Sequence, residues 1–152
     1  MVLETRPIAI VLVGSCGAYA GSSLEIGDVV LGHEMVLAHS GELPEVVPTR
    51  SRPRLFELAA RRVIVASTLG ITTDDTRASA IERETKAEVE NLEAFAVARA
   101  CERANVPVAI LLGVTNRVGA GGRAEWKANA KRVTQAVNAF LLKNQTTPRS
   151  PA

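Results

Sequence analysis

Val108-Ala109-Ile110-Leu111-Leu112-Gly113-Val114 runs straight into Thr115-Asn116. Apolar residues in unbroken succession, with no polar alternation, suit a strand covered on both faces. Pro107 introduces the run and the polar pair ends it. Upstream, Leu92, Phe95, Ala96, Arg99 and Ala100 repeat at helical spacing, which predicts a helix around 91–105. Downstream, Trp126, Ala130, Val133, Val137, Phe140 and Leu141 step by three or four, which predicts an amphipathic helix over 124–143. Helix, buried strand, helix is the signature of an α/β layered domain.

Further out the pattern repeats. Ile8 to Val13 is a second apolar run, ending in Gly14-Ser15-Cys16-Gly17, which predicts a buried strand opening into a glycine-containing turn. Leu24 to Gly27 predicts a turn before Val29-Val30-Leu31-Gly32, a strand continuing towards Met35-Val36-Leu37. The prolines between Gly41 and Pro53 predict an irregular loop, and Leu55, Leu58 and Ala59 a short helix over 54–61. Val63-Ile64-Val65-Ala66 predicts another buried strand, followed by a polar loop, Thr72-Thr73-Asp74-Asp75-Thr76, suited to turns and helix caps. The expected fold is one domain over 1–145, a three-layer α/β/α arrangement with a mixed, largely parallel sheet, and a flexible tail over 146–152.

Composition narrows the function. At 152 residues the chain suits one domain, and 47% hydrophobic content supplies a sizeable core. With 18 basic against 16 acidic residues and few aromatics, nothing favours a phosphate backbone as partner. No apolar run approaches the ~20 residues needed to cross a bilayer, and the first residues lack a signal-peptide pattern, so the cytoplasm is the default. Cys16 and Cys101 lie far apart and lack ligand-spaced neighbours; they suit small core residues in a reducing compartment. His33 and His39 have no nearby cysteine or acidic set that would complete a metal site. No metal or cofactor is expected.

Ligands of such sheets bind at the carboxyl ends of the strands. Three polar pairs fall there: Gly14-Ser15, Ser67-Thr68 and Thr115-Asn116. Gly14 and Gly17 allow close backbone approach and Ser15 offers a hydroxyl, although a tight turn explains the same residues. Asn116 carries both a donor and an acceptor and could match a purine edge, or merely form a turn. Glu88, Glu90 and Glu93 gather near a helix start, where the helix dipole favours carboxylates. The apolar residues after Glu93 suit it pointing inward, where two vicinal sugar hydroxyls would satisfy it.

Together these clusters resemble the nucleoside phosphorylase/hydrolase superfamily. Val13-Gly14-Ser15-Cys16-Gly17-Ala18, then Ile26-Gly27-Asp28-Val29-Val30, resembles its phosphate- or ribose-side turn and Gly-Asp-Val-Val strand. Val89-Glu90-Asn91-Leu92-Glu93-Ala94 resembles its ribose-binding Glu-Asn-Met-Glu segment. Val114-Thr115-Asn116-Arg117-Val118-Gly119, then Trp126, is similar to the Ser-Asn-Tyr-Val-Gly and Trp of its futalosine hydrolase branch, which cleaves a 6-oxopurine nucleoside on a menaquinone route. The resemblance implies Gly14 and Ser15 on the phosphate or water side, while Ser67 and Thr68 are site candidates from their place at a strand end alone. It implies Glu93 on the ribose, beside Asn91 and with Leu92 packed under the sugar. Ile71 and Thr72 would flank the base, with Asn116, next to Thr115, on the purine near N7. Leu12 stands where phosphorylases of the family carry a phosphate-binding arginine, which implies hydrolysis rather than phosphorolysis. The family's opening strands have no counterpart, which implies an N-terminally truncated fold, completed in a homo-oligomer or by a partner subunit, or a binding module without turnover.

Overall fold

The computed structural model describes residues 7–40, 46–51 and 58–145, with only the backbone of 39–40, 46–51 and 145. The elements run β1 (Ile10–Ala18), β2 (Val29–Ser40), β3 (Val46–Ser51), β4 (Arg61–Ser67), α1 (Asp75–Thr85), β5 (Val89–Glu90), α2 (Ala94–Ala104), β6 (Val108–Arg117) and α3 (Gly122–Gln145). The strands form one sheet in the order β3-β2-β4-β5-β1-β6, and β6 also pairs with β2, so the sheet curls and closes on itself.

β6 is buried as its sequence demands. Val108, Ile110, Leu112 and Val114 face a core shared with Ala94, Ala98 and Cys101 of α2 and with β1, β2 and β4. Leu111 points the other way, onto Val133 and Val137 of α3. Helices therefore cover both faces of this strand. A smaller cluster seats Ala78 and Ile81 of α1 on Tyr19, Ala38 and Ala66.

Several expectations need correction. The sheet is evenly mixed rather than largely parallel: β1–β6, β2–β4 and β4–β5 are parallel, while β1–β5, β2–β3 and β2–β6 are antiparallel. Gly14-Ser15-Cys16-Gly17 is not a turn. It stays in β1 because β6 pairs alongside it through to Ala18. Nor is the first apolar run fully buried, since Ile8 is exposed and Val11 and Val13 lie on an open face. Within the expected loop 41–53, β3 forms despite Pro48, which an edge strand tolerates because only one side needs donors. Residues 58–60 are not helical, and the rest of the expected helix at 54–57 lies outside the described residues, as do the first six residues and the tail 146–152. Asp75–Thr85 was not expected as a helix; Asp74 caps it by accepting from the Arg77 amide at 2.7 Å.

Candidate functional site

The carboxyl end of β1 is the centre around which the polar residues gather. Gly17 is in register with Glu90 of β5 on one edge and with Asn116 of β6 on the other. With strands ~4.8 Å apart, Glu90 and Asn116 are separated by roughly 10 Å of backbone, about the span of a nucleoside. The β1–β6 register shifts between Cys16 and Gly17, which leaves Thr115 as an extra residue and turns Asn116 beside Gly17. A Cβ at Gly17 would press on Asn116 Nδ2 and Val118 Cγ2, both 2.9 Å away, so glycine permits that approach.

The asparagine amide is held by its neighbours. Thr115 Oγ1 lies 2.8 Å from Asn116 Oδ1 and 3.1 Å from the Cys16 carbonyl. Asn116 Nδ2 donates to the Arg117 carbonyl at 2.8 Å. Thr115 is fully buried and Asn116 half-buried. The Asn116 amide nitrogen carries two hydrogens, and the bond to the Arg117 carbonyl uses one of them.

On the opposite edge of β1, Asn91 Nδ2 donates to the Ser15 carbonyl at 3.0 Å, and Gly14 lies beneath the same amide. Asn91 Oδ1 accepts from the amides of Glu93 and Ala94, which fixes the start of α2. Ser67 is buried, donating to the Asn91 carbonyl at 2.6 Å and accepting from the Phe95 amide at 3.0 Å. Thr68 donates to the Gly70 carbonyl. Both hydroxyls at the end of β4 thus have partners within the protein. Ser15 Oγ, half-buried, meets Trp126 Nε1 at 3.4 Å.

Glu93 is exposed, contrary to the expectation that it points inward. Its backbone amide is tied to Asn91, and its carboxylate makes no hydrogen bond or ion pair among the described residues. Leu92 (37% exposed), Ile71 (67%), Leu69 (82%) and Trp126 (46%) are exposed apolar side chains in the segments that adjoin these strand ends.

The buried carboxylate of the Glu88–Glu93 segment is Glu90 instead, on strand β5 rather than a helix start. Tyr19 Oη donates to it at 3.1 Å, the Thr72 amide at 3.1 Å and Thr72 Oγ1 at 2.6 Å. Burial, reinforced by the Glu90 charge and by Glu82, pushes the Tyr19 phenol well above the usual range, against a smaller opposing pull from Arg77. Sequence reasoning missed Tyr19 and the structural use of Glu90. Their contact spans 71 residues, and no local spacing announces it.

No group of three histidines, cysteines or acids able to hold a metal occurs among the described residues. His33 Nδ1 lies 3.0 Å from the Val63 carbonyl, and the side chain of His39 lies outside the described residues. No described helix is long and apolar enough to cross a membrane. Cys16 and Cys101 are buried free thiols.

Comparison with known proteins sets this geometry in context. Futalosine hydrolase of Helicobacter pylori has a similar structure at 18% identity, with a TM-score of 0.80 over 93% of this chain and 70% of that one. The 5'-methylthioadenosine/S-adenosylhomocysteine nucleosidase of the same organism matches at 16% identity with a TM-score of 0.81, over 94% and 70%. The 5'-methylthioadenosine nucleosidase of Arabidopsis thaliana matches at 21% identity with a TM-score of 0.75, over 95% and 64%. At such identities the likeness establishes the fold alone. No curated protein matches in sequence. The model of the phosphorylase superfamily matches residues 1–143, nearly the whole chain, and on that match the chain belongs to the phosphorylase superfamily.

Proposed function

We propose that this chain is a purine nucleosidase of the futalosine hydrolase type, acting in the cytoplasm as a single domain within a homo-oligomer or with a partner subunit. The observation that carries the reading is the register of Gly17 between β5 and β6. It brings the Asn91–Glu93 segment and Asn116 to opposite edges of one strand end. In this reading Glu93 accepts hydrogen bonds from the two ribose hydroxyls over Leu92. Ile71 covers the base, and Gly14, Ser15 and Thr115 line the floor. Ser67, Thr68, Thr72 and Asn91 support that arrangement from behind.

The reaction breaks the bond between C1′ of the sugar and N9 of the purine. The bonding pair leaves with the base, positive charge develops on the sugar, and water adds at C1′ while the proton it releases is balanced by one gained on the purine. A donor from Asn116 to N7 stabilises charge collecting on the purine, an interaction worth most where water is excluded. Glu93 opposes the sugar's positive charge. Leu12 supports water over phosphate as the acceptor, because it packs as a half-buried apolar residue against the core and offers no cation.

The test is release of free hypoxanthine from futalosine or inosine, followed by chromatography. Release is expected, and none above the buffer background at high enzyme concentration overturns the reading. Glu93→Ala should weaken nucleoside binding by about tenfold or more, the usual loss for hydrogen bonds to a charged group. Unchanged affinity removes Glu93 from the sugar.

A further inference from the structure

Burying a carboxylate is costly, and a shell of neutral donors only partly offsets it. Two are buried among the described residues, Glu34 on β2 and Glu90 on β5. Glu90 stands out because its three donors come from two segments remote from each other in the chain. Tyr19 follows β1, and Thr72 belongs to the loop after β4. Its own backbone adds a third attachment, since Glu90 pairs with Gly17 and with Ala66. The next residue, Asn91, holds the Ser15 carbonyl and the first turn of α2. The carboxylate therefore ties the exit of β1 to the loop 68–72, at the point where the backbone of β5 joins β1 to β4.

That loop has few other anchors. Thr68 bonds within it, to Gly70, and Leu69 and Ile71 project into solvent. Thr72 is buried, and both its amide and its hydroxyl end on Glu90. A two-point attachment fixes direction as well as distance, so it sets where Ile71, one residue earlier, stands.

We infer that Glu90 is a positioning residue, which holds the 68–72 loop so that Ile71 covers the base-binding side of the site. The inference rests on the nucleosidase reading for what the loop covers. The hold itself is independent of any ligand.

Amide hydrogen exchange and ligand affinity test it together, in wild type, Glu90→Ala, Glu90→Gln and Thr72→Val. In Glu90→Ala, exchange at residues 71–73 should rise about tenfold while the amides of β6 and α3 stay as in wild type, as local opening requires. The dissociation constant for hypoxanthine should rise by about the same factor, as expected when buried donors lose their acceptor. Glu90→Gln should restore most of both. Its amide oxygen can accept from the Thr72 amide, and its nitrogen can donate to hydroxyls that turn to accept. Thr72→Val keeps one of two attachments and should fall between, which preserves the test if Glu90→Ala does not fold. Wild-type exchange at 71–73 in Glu90→Ala, or Glu90→Gln and Thr72→Val as impaired as Glu90→Ala, overturns the inference. If wild type binds neither hypoxanthine nor inosine, the nucleosidase reading fails, while the exchange data still decide whether Glu90 holds the loop.

Discussion

Asn91 has every hydrogen-bonding group engaged. Its nitrogen holds the Ser15 carbonyl and its oxygen takes the amides of Glu93 and Ala94. The same holds for the Ser67 hydroxyl, while Ile71, Leu92 and Glu93 remain exposed. Residues at these strand ends thus divide into a layer bonded within the protein and a layer that faces outward. Asn91→Ala strips a helix-starting acceptor and strands a carbonyl, so unfolding stability should fall by about 2 kcal/mol. Asn91→Asp keeps the acceptor but sets a carboxylate oxygen against the Ser15 carbonyl, and should lie between the two. Urea denaturation decides: a wild-type midpoint for Asn91→Ala means that these bonds are not holding the start of α2.

At the scale of elements, β6 and α3 meet through a glycine. A Cβ on Gly113 would collide with side-chain methyls of Val133 and Val137, so the helix sits against bare backbone. Gly113→Ala must displace α3 or strain the strand, at a cost of about 1–3 kcal/mol. A thermal midpoint equal to wild type would show that the helix moves freely. This pair was legible in the sequence, because a strand buried on both faces and a helix packed along one face each carry the period of their own burial. α1 was not, since of its buried positions Ala78, Ile81 and Thr85 only Ile81 is large and apolar, and one such residue does not mark a face; the cap at Asp74 was its one signal. Pro48 hides β3, and the sequence ends β1 before Gly14 because glycine signals a turn when no partner strand is in view. The same limit applies to the site. The sequence places Asn116 and Ser67 at strand ends, where the structure has them. The Glu90 cluster could not, because pairing between β5 and β1 creates it and only the assembled sheet specifies that pairing.

The closed sheet brings two protonated acids of β1 and its exit into separate cores, Cys16 among the α2 contacts and Tyr19 beneath α1. Burial pushes the Cys16 thiol far up, and it raises Cys101 on α2 in the same direction. Tyr19 is raised by burial and by its neighbours Glu90 and Glu82, with Arg77 opposing. Unfolding returns such groups to about 8.5 for a thiol and about 10 for a phenol. Below those values both states hold the proton and the groups add no pH dependence. Above them the unfolded chain releases protons that the folded chain keeps, so stability falls with rising pH, by up to ~1.4 kcal/mol per pH unit for each group. Stability should therefore begin to decline just above pH 8 and steepen beyond pH 10, where the phenol joins the thiols. Urea denaturation at intervals from pH 7 to 10.5 measures the slope, and Cys16→Ala should flatten it between about 8.5 and 10 by one proton's worth. The comparison of slopes cancels the constant cost of the lost sulfur and every contribution that the two proteins share. If the wild-type midpoint stays level through that interval, or the Cys16→Ala slope matches it, the thiol is not held protonated in the core, and water reaches the β1–α2 packing.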